Sequence, residues 1–200
     1  MKRFLAGFAL LFGLVGCKDT ASLAPLSTDA VVLCFGDSLT YGTGAEPGNS
    51  YPDELARLIN RQVVNSGIPG ETSGEALARL PGELDRTQPK LLILCSGAND
   101  ILRRMDLNQA AANLREMVKL AQGRGIGVVL IGVPHWGFGL QPTAFYGALA
   151  GELNVPLENK VFAKVLANDE LKADPVHPNA AGYRKVAKAV AALLARSGGV

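Results

Sequence analysis

Three short, predominantly apolar runs constrain this chain more than any other feature. They are Ala30-Val-Val-Leu-Cys-Phe35, Lys90-Leu-Leu-Ile-Leu-Cys95 and Gly127-Val-Val-Leu-Ile-Gly-Val133. None alternates with polar residues, so each reads as a strand buried on both faces, as in a parallel sheet. Gln62-Val-Val-Asn65 is a weaker strand and Val155-Pro-Leu157 a short edge strand. Helical patterns lie between them. Ser50-x-x-Asp53 precedes a helix to about Asn60, with Pro52 tolerated in its first turn. Thr72-x-x-Glu75 is a capping box before a helix toward Arg86, which Pro81 should kink or split. Asp106-x-x-Gln109 opens a helix toward Gln122. The last helix starts near Asn179 and repeats Tyr183, Val186, Ala187, Val190 and Leu194 at helical spacing, with Gly198 beyond its end. Strand and helix alternate throughout, which predicts one α/β domain over residues 30–200 on a parallel sheet.

The ends and the composition narrow the classes further. Lys+Arg total 20 against 18 Asp+Glu, so no basic excess argues for nucleic acid. Three cysteines are too few for a disulfide scaffold, and two histidines without a C-x-x-C pair do not make a metal site. No metal or cofactor is expected. Lys2 and Arg3 precede Phe4 to Val15, an apolar run of 12 residues that is short for a membrane span but suits a signal-peptide core. Leu14-Val15-Gly16-Cys17 resembles the bacterial lipobox, which implies loss of residues 1–16 and lipidation of Cys17. A plain secretory signal cut elsewhere, for instance after Ala24, is the alternative. Residues 17–29 are small, polar and aperiodic and read as a tether. Lys18 rather than Asp follows the cysteine. The sorting rule for such lipoproteins then implies export to the periplasmic face of the outer membrane in a Gram-negative host.

In open parallel sheets, sites form where the carboxyl ends of the strands meet the following loops. Four short motifs sit there. The first strand runs into Gly36-Asp37-Ser38-Leu39-Thr40, where a serine hydroxyl can face a cleft or cap a helix. The second runs into Asn65-Ser66-Gly67-Ile68-Pro69-Gly70-Glu71-Thr72, whose glycines bring backbone N–H groups near a bound group or merely form a loop. The third runs into Ser96-Gly97-Ala98-Asn99-Asp100, where Asn99 offers an amide donor or simply a turn. Asp174-Pro175-Val176-His177 precedes the last helix. An Asp three residues before a His can fix the ring's tautomer, though a surface loop has the same look.

Together, in this order, the four motifs resemble the SGNH (GDSL) hydrolase superfamily over roughly Ala30 to Ala195. Asn65 to Thr72 and Leu77-Ala-Arg-Leu-Pro81 are similar to its bacterial acyl-CoA thioesterase I, lysophospholipase and arylesterase branch. The resemblance implies a flavodoxin-like three-layer α/β/α sandwich with five parallel strands in the order 2-1-3-4-5. It implies Ser38 as nucleophile, His177 as general base and acid, and Asp174 as the group that orients His177. The oxyanion would meet the N–H groups of Ser38 and Gly67 and the Asn99 amide, each worth roughly 3 kcal/mol. Asp37 and Asp100 would support the loops. The expected reaction is cleavage of short to medium acyl or aryl esters, thioesters or lysophospholipids through an acyl-Ser38 intermediate by a monomer. An O-acetyl esterase of envelope polysaccharide and a non-catalytic envelope-binding lipoprotein are the competing readings. A classical α/β-hydrolase elbow is disfavoured because Thr40 stands where its second glycine belongs.

His135 is the other histidine, but no Asp lies near it in sequence, so it reads as a residue of the cleft rim. Trp136, Phe138, Phe145 and Tyr146 cluster beside it, as an apolar wall for an acyl or aryl group or as core. Cys34 and Cys95 each precede a motif position by four residues, which places them at equivalent heights on neighbouring strands. Two buried free thiols are expected there.

Overall fold

A computed structural model of the protein describes residues 21–136 and 139–200. The expected signal segment, Cys17 and Phe138 therefore lie outside the described residues. The chain runs through β1 (Val31–Gly36), α1 (Ser38–Tyr41), α2 (Tyr51–Ile59), β2 (Gln62–Gly67), α3 (Ser73–Thr87), β3 (Leu91–Cys95), α4 (Ala98–Leu102), α5 (Leu107–Gly123), β4 (Gly127–Ile131), β5 (Pro134–His135), β6 (Gln141–Pro142), α6 (Ala144–Leu153), β7 (Leu157–Glu158), α7 (Val161–Leu166) and α8 (Ala180–Arg196). The main sheet has the order β2-β1-β3-β4-β7, every neighbouring pair parallel. This is the expected sandwich, with Leu157–Glu158 as the fifth strand of the sheet.

The apolar runs form its centre because both faces are covered. Helices α2, α7 and α8 pack together, as do α3, α5 and α6. All five residues of β3 are buried, and so are Val32 to Gly36 of β1. The expected capping box at Thr72 closes, and the helix after Ser50 opens with a second one. Ser50 and Asp53 exchange bonds at the start of α2, and Thr72 and Glu75 do so at the start of α3.

Three expectations need correction. Of the kink or split expected at Pro81, the split does not occur: helix α3 runs through it. Proline costs about 3 kcal/mol inside a helix, but Ala76, Leu80 and Leu84 are buried along one stripe, which offsets that loss. The tether does not run free to residue 29. Leu23 N–H donates to Ser197 O at 2.7 Å and Leu26 N–H to Gly199 O at 2.9 Å, and both leucines pack on the core. Cys34 and Cys95 are free and buried, yet not level: Cys34 faces Ile93, and Cys95 faces Gly36. That offset puts their Cα atoms roughly 8 Å apart by strand geometry, too far for a disulfide. Burial pushes both thiols up.

Candidate active site

Strand β1 ends at Gly36 against β3. A side chain there would run into the Cys95 carbonyl and reach within 2.7 Å of Thr40 Oγ1, so only glycine lets the chain leave the sheet at this height. Asp37 then caps α1: its Oδ1 accepts the Leu39 N–H at 3.0 Å. The cap is thus Asp37 and not Ser38. Ser38 becomes the first helical residue, half-buried, and its N–H has no partner within the helix. Tyr183 of α8 holds the following segment by donating to Thr43 O at 2.8 Å.

The loop before α8 supplies the rest. Ala173 N–H donates to His177 O at 2.9 Å, closing the loop on itself. Asp174 Oδ1 accepts the N–H groups of Val176 and His177, both at 2.8 Å. Its Oδ2 lies 2.8 Å from His177 Nδ1, and His177 Nε2 lies 3.0 Å from Ser38 Oγ. A carboxylate only accepts, so Nδ1 carries the proton and Nε2 accepts from the serine hydroxyl. Partial burial pushes the Asp174 carboxyl up. The bonds from His177 and Val176, with the ring's charge, outweigh burial and hold the carboxyl below its ordinary value. The three residues expected to meet do meet.

Gly67 does not belong with them. Its N–H donates to Asn65 Oδ1 at 3.0 Å, and it is glycine because a side chain would strike the backbone of Thr40 and Tyr41. Gly70, rather than Gly67, lines the cleft with Ser38, Leu39, Asn99, Trp136 and His177. Ile68 to Glu71 form a turn closed by Glu71 N–H to Ile68 O at 3.2 Å, with Gly70 at φ +83. Pro69-Gly70 is the sequence signature of such a turn and distinguishes the two glycines. Among the described residues nothing accepts the Gly70 N–H. Asn99 Nδ2 donates one hydrogen to Glu71 O at 2.9 Å, leaving the other for the cleft. Asp100 supports the neighbouring loop: its oxygens accept Ser73 N–H at 2.8 Å and Ser73 O–H at 2.6 Å.

The aromatic cluster divides. Trp136 walls the cleft. Tyr146 does not: it is fully buried and donates to Ser96 O at 2.7 Å, steadying the strand end before Asn99. Phe145 stacks on Tyr146 with ring centroids 4.2 Å apart and packs on the core. His135 is exposed on β5 and is not among the residues that line the cleft.

The matched family model, the GDSL-like Lipase/Acylhydrolase family, covers residues 34–185. The chain belongs to this family, and it is a carboxylic-ester hydrolase of the GDSL type. An arylesterase of Vibrio mimicus is 32% identical over 191 residues, 90% of this chain and 94% of that one. The thioesterase 1/protease 1/lysophospholipase L1 of Escherichia coli K12 is 32% identical over 157 residues, 74% of this chain and 75% of the relative. The crystal structure of TesA superposes with a TM-score of 0.74 at 29% identity, covering 82% of this chain and 97% of that one.

Asp37 carries a testable charge. Burial pushes its carboxyl from 3.8 to about 7 against the bond from Leu39, with Glu71 and Asp100 adding to the rise. Its Oδ2 has no partner among the described residues. Between these values the folded chain keeps a proton that the unfolded chain has lost. Stability therefore declines as pH rises through that window and levels above about 7. Asp37→Asn should lack this decline. Urea melts of both proteins across the window should show the variant gaining on the wild type as pH rises; a constant difference contradicts the assignment.

Proposed function

We propose that the protein hydrolyses short to medium acyl or aryl esters, thioesters or lysophospholipids through an acyl-Ser38 intermediate. The unbroken hydrogen-bonded line from Asp174 through His177 to Ser38, at the mouth of a cleft, carries this reading. In the first half-reaction Ser38 Oγ attacks the carbonyl carbon while its proton passes to His177 Nε2. The negative oxygen is met by the Ser38 N–H, the Gly70 N–H and the second Asn99 amide hydrogen. Collapse expels the alcohol or thiol, which takes the proton from Nε2. Water then attacks the acyl carbon, giving its proton to Nε2; the acyl–Oγ bond breaks, Oγ takes the proton back from Nε2, and the acid leaves. Asp174 keeps the ring oriented and stabilises its charged form throughout.

Cleft size supports a short acyl group. The cavity beside Ser38 measures about 220 Å³, below the roughly 300–1,000 Å³ of most small-molecule pockets. A more open groove of about 360 Å³ shares Gly70 and runs past Ile68 and Arg103, room for a leaving group. The small cavity also favours, as the second reading, an O-acetyl esterase of envelope polysaccharide.

Lipid anchoring at Cys17 belongs to the same proposal, with placement on the periplasmic face of the outer membrane. Leu23 and Leu26 dock at the amino ends of the strands, beside Lys90 and Gly127. Ser38 lies at the carboxyl ends, roughly 20 Å away along the 6 residues of β1. An anchored enzyme would then hold its cleft away from the membrane. Cys17→Ala should move the protein from the detergent phase to the aqueous phase in Triton X-114 partitioning; a wild type already in the aqueous phase contradicts the anchor.

Ser38→Ala should lower kcat/KM for a p-nitrophenyl acyl ester by about 10,000-fold or more while the melting temperature holds. Undiminished turnover ends the mechanism. A chain-length series run alongside separates the readings: turnover on butyryl to octanoyl esters supports the first, and turnover confined to acetyl groups supports the second.

A further inference from the structure

Arg79 lies on α3, outside the cleft, and it binds two separate segments at once. Its Nε and Nη2 donate to the two Glu71 carboxylate oxygens at 2.7 and 2.8 Å. Its Nη1 donates to Ser66 Oγ at 2.7 Å and its Nη2 also to Ser66 O at 3.1 Å. The guanidinium carbon lies 4.1 Å from the centroid of the Phe35 ring on β1. The Glu71 side chain is only 5% exposed and that of Arg79 only 21%. Ser66 O–H donates onward to Glu83 Oε2 at 2.8 Å, tying the cluster back to α3.

A buried ion pair is seldom more stabilising than apolar side chains of the same volume. Its value lies in the geometry it imposes. Here a single planar fork joins the end of β2 at Ser66 to the far end of the turn that carries Gly70. Glu71 then passes the constraint on, because its carbonyl accepts Asn99 Nδ2 at 2.9 Å. Both cleft donors supplied from outside α1, the Gly70 N–H and the Asn99 amide, are thus referred to one guanidinium. Hydrogen-bond donors act on a transition state only when held where the charge develops. Lysine cannot reproduce the fork, since its ammonium is a single point of charge.

We propose that Arg79 is a positioning residue for the oxyanion site, acting through Glu71 to fix the Gly70 N–H and Asn99 Nδ2 beside Ser38. The proposal rests on the acyl-Ser38 reading. It predicts that the Arg79–Glu71 pair affects the transition state far more than substrate binding.

The test compares Arg79→Met, Arg79→Lys and Glu71→Gln with the full-length wild type in hydrolysis of a p-nitrophenyl ester. Inhibition by phenylboronic acid, which forms a tetrahedral adduct on serine, is measured in parallel. The expected result is a fall in kcat of roughly 10- to 100-fold in Arg79→Met and Glu71→Gln, with KM within about twofold. The boronate inhibition constant should rise by the same factor as kcat/KM falls, and Arg79→Lys should be intermediate. A change in structural stability alone leaves that parallel absent. If Arg79→Met does not fold, Glu71→Gln decides, since it keeps the side chain's shape. A folded variant with kcat within about threefold of wild type, or with the loss confined to KM, overturns the proposal. Fluorophosphonate labelling of wild-type Ser38 keeps the two readings apart. Labelling with unaffected variants removes only the positioning role, whereas no labelling removes the acyl-serine reading beneath it.

Discussion

The hydrogen bond between Ser38 and His177 joins residues 139 apart in sequence, and the rest of the structure is arranged so that it can form. One partner leaves the sheet at the end of the first strand. The other sits in the loop before the last helix. Parallel strand order brings the carboxyl ends of β2, β1 and β3 to one edge, so the turns after them converge without any long insertion. Helix α8 completes the convergence. It packs beside α2, and its Tyr183 reaches the backbone just after α1. The family relationship and the geometry agree on an ester hydrolase; the acyl-serine chemistry is the reading that best uses the geometry.

The site is built by placing uncomfortable groups among well-satisfied ones. Asp37 is fully buried with one oxygen unpartnered among the described residues, directly beside the serine. Around it, Asp100, Asn99, Glu71 and Tyr146 each hold another backbone segment by hydrogen bonds. Such a shell costs desolvation energy and, in the acyl-Ser38 reading, returns a cleft whose donors do not have to move when charge develops.

Much of this was legible in the residues. Runs without alternation announced strands covered on both faces, and Ser50 and Thr72 announced helix starts through their acidic partners three residues on. The Asp174–His177 spacing announced the ring contact because a loop of that length brings the carboxylate back to Nδ1. What stayed hidden depended on tertiary contact. Nothing local separates a capping Ser38 from a capping Asp37. Gly67 and Gly70 stand three residues apart in one loop; Pro69-Gly70 signals the turn, but only the backbone of Thr40 and Tyr41 packed against Gly67 shows why that position is glycine. Tyr146 reads as cleft wall or core alike until its hydroxyl is seen on Ser96. The docking of Leu23 and Leu26 relies on backbone groups of the far terminus, which no periodicity encodes.

A crystal structure of the enzyme phosphonylated on Ser38 would show directly which donors meet the developing charge. The phosphonate should be bonded to Ser38 Oγ, with its phosphoryl oxygen within hydrogen-bond distance of both Gly70 N and Asn99 Nδ2. An oxygen directed instead toward Gly67, or a serine that turns away from His177 and resists modification, would contradict this arrangement.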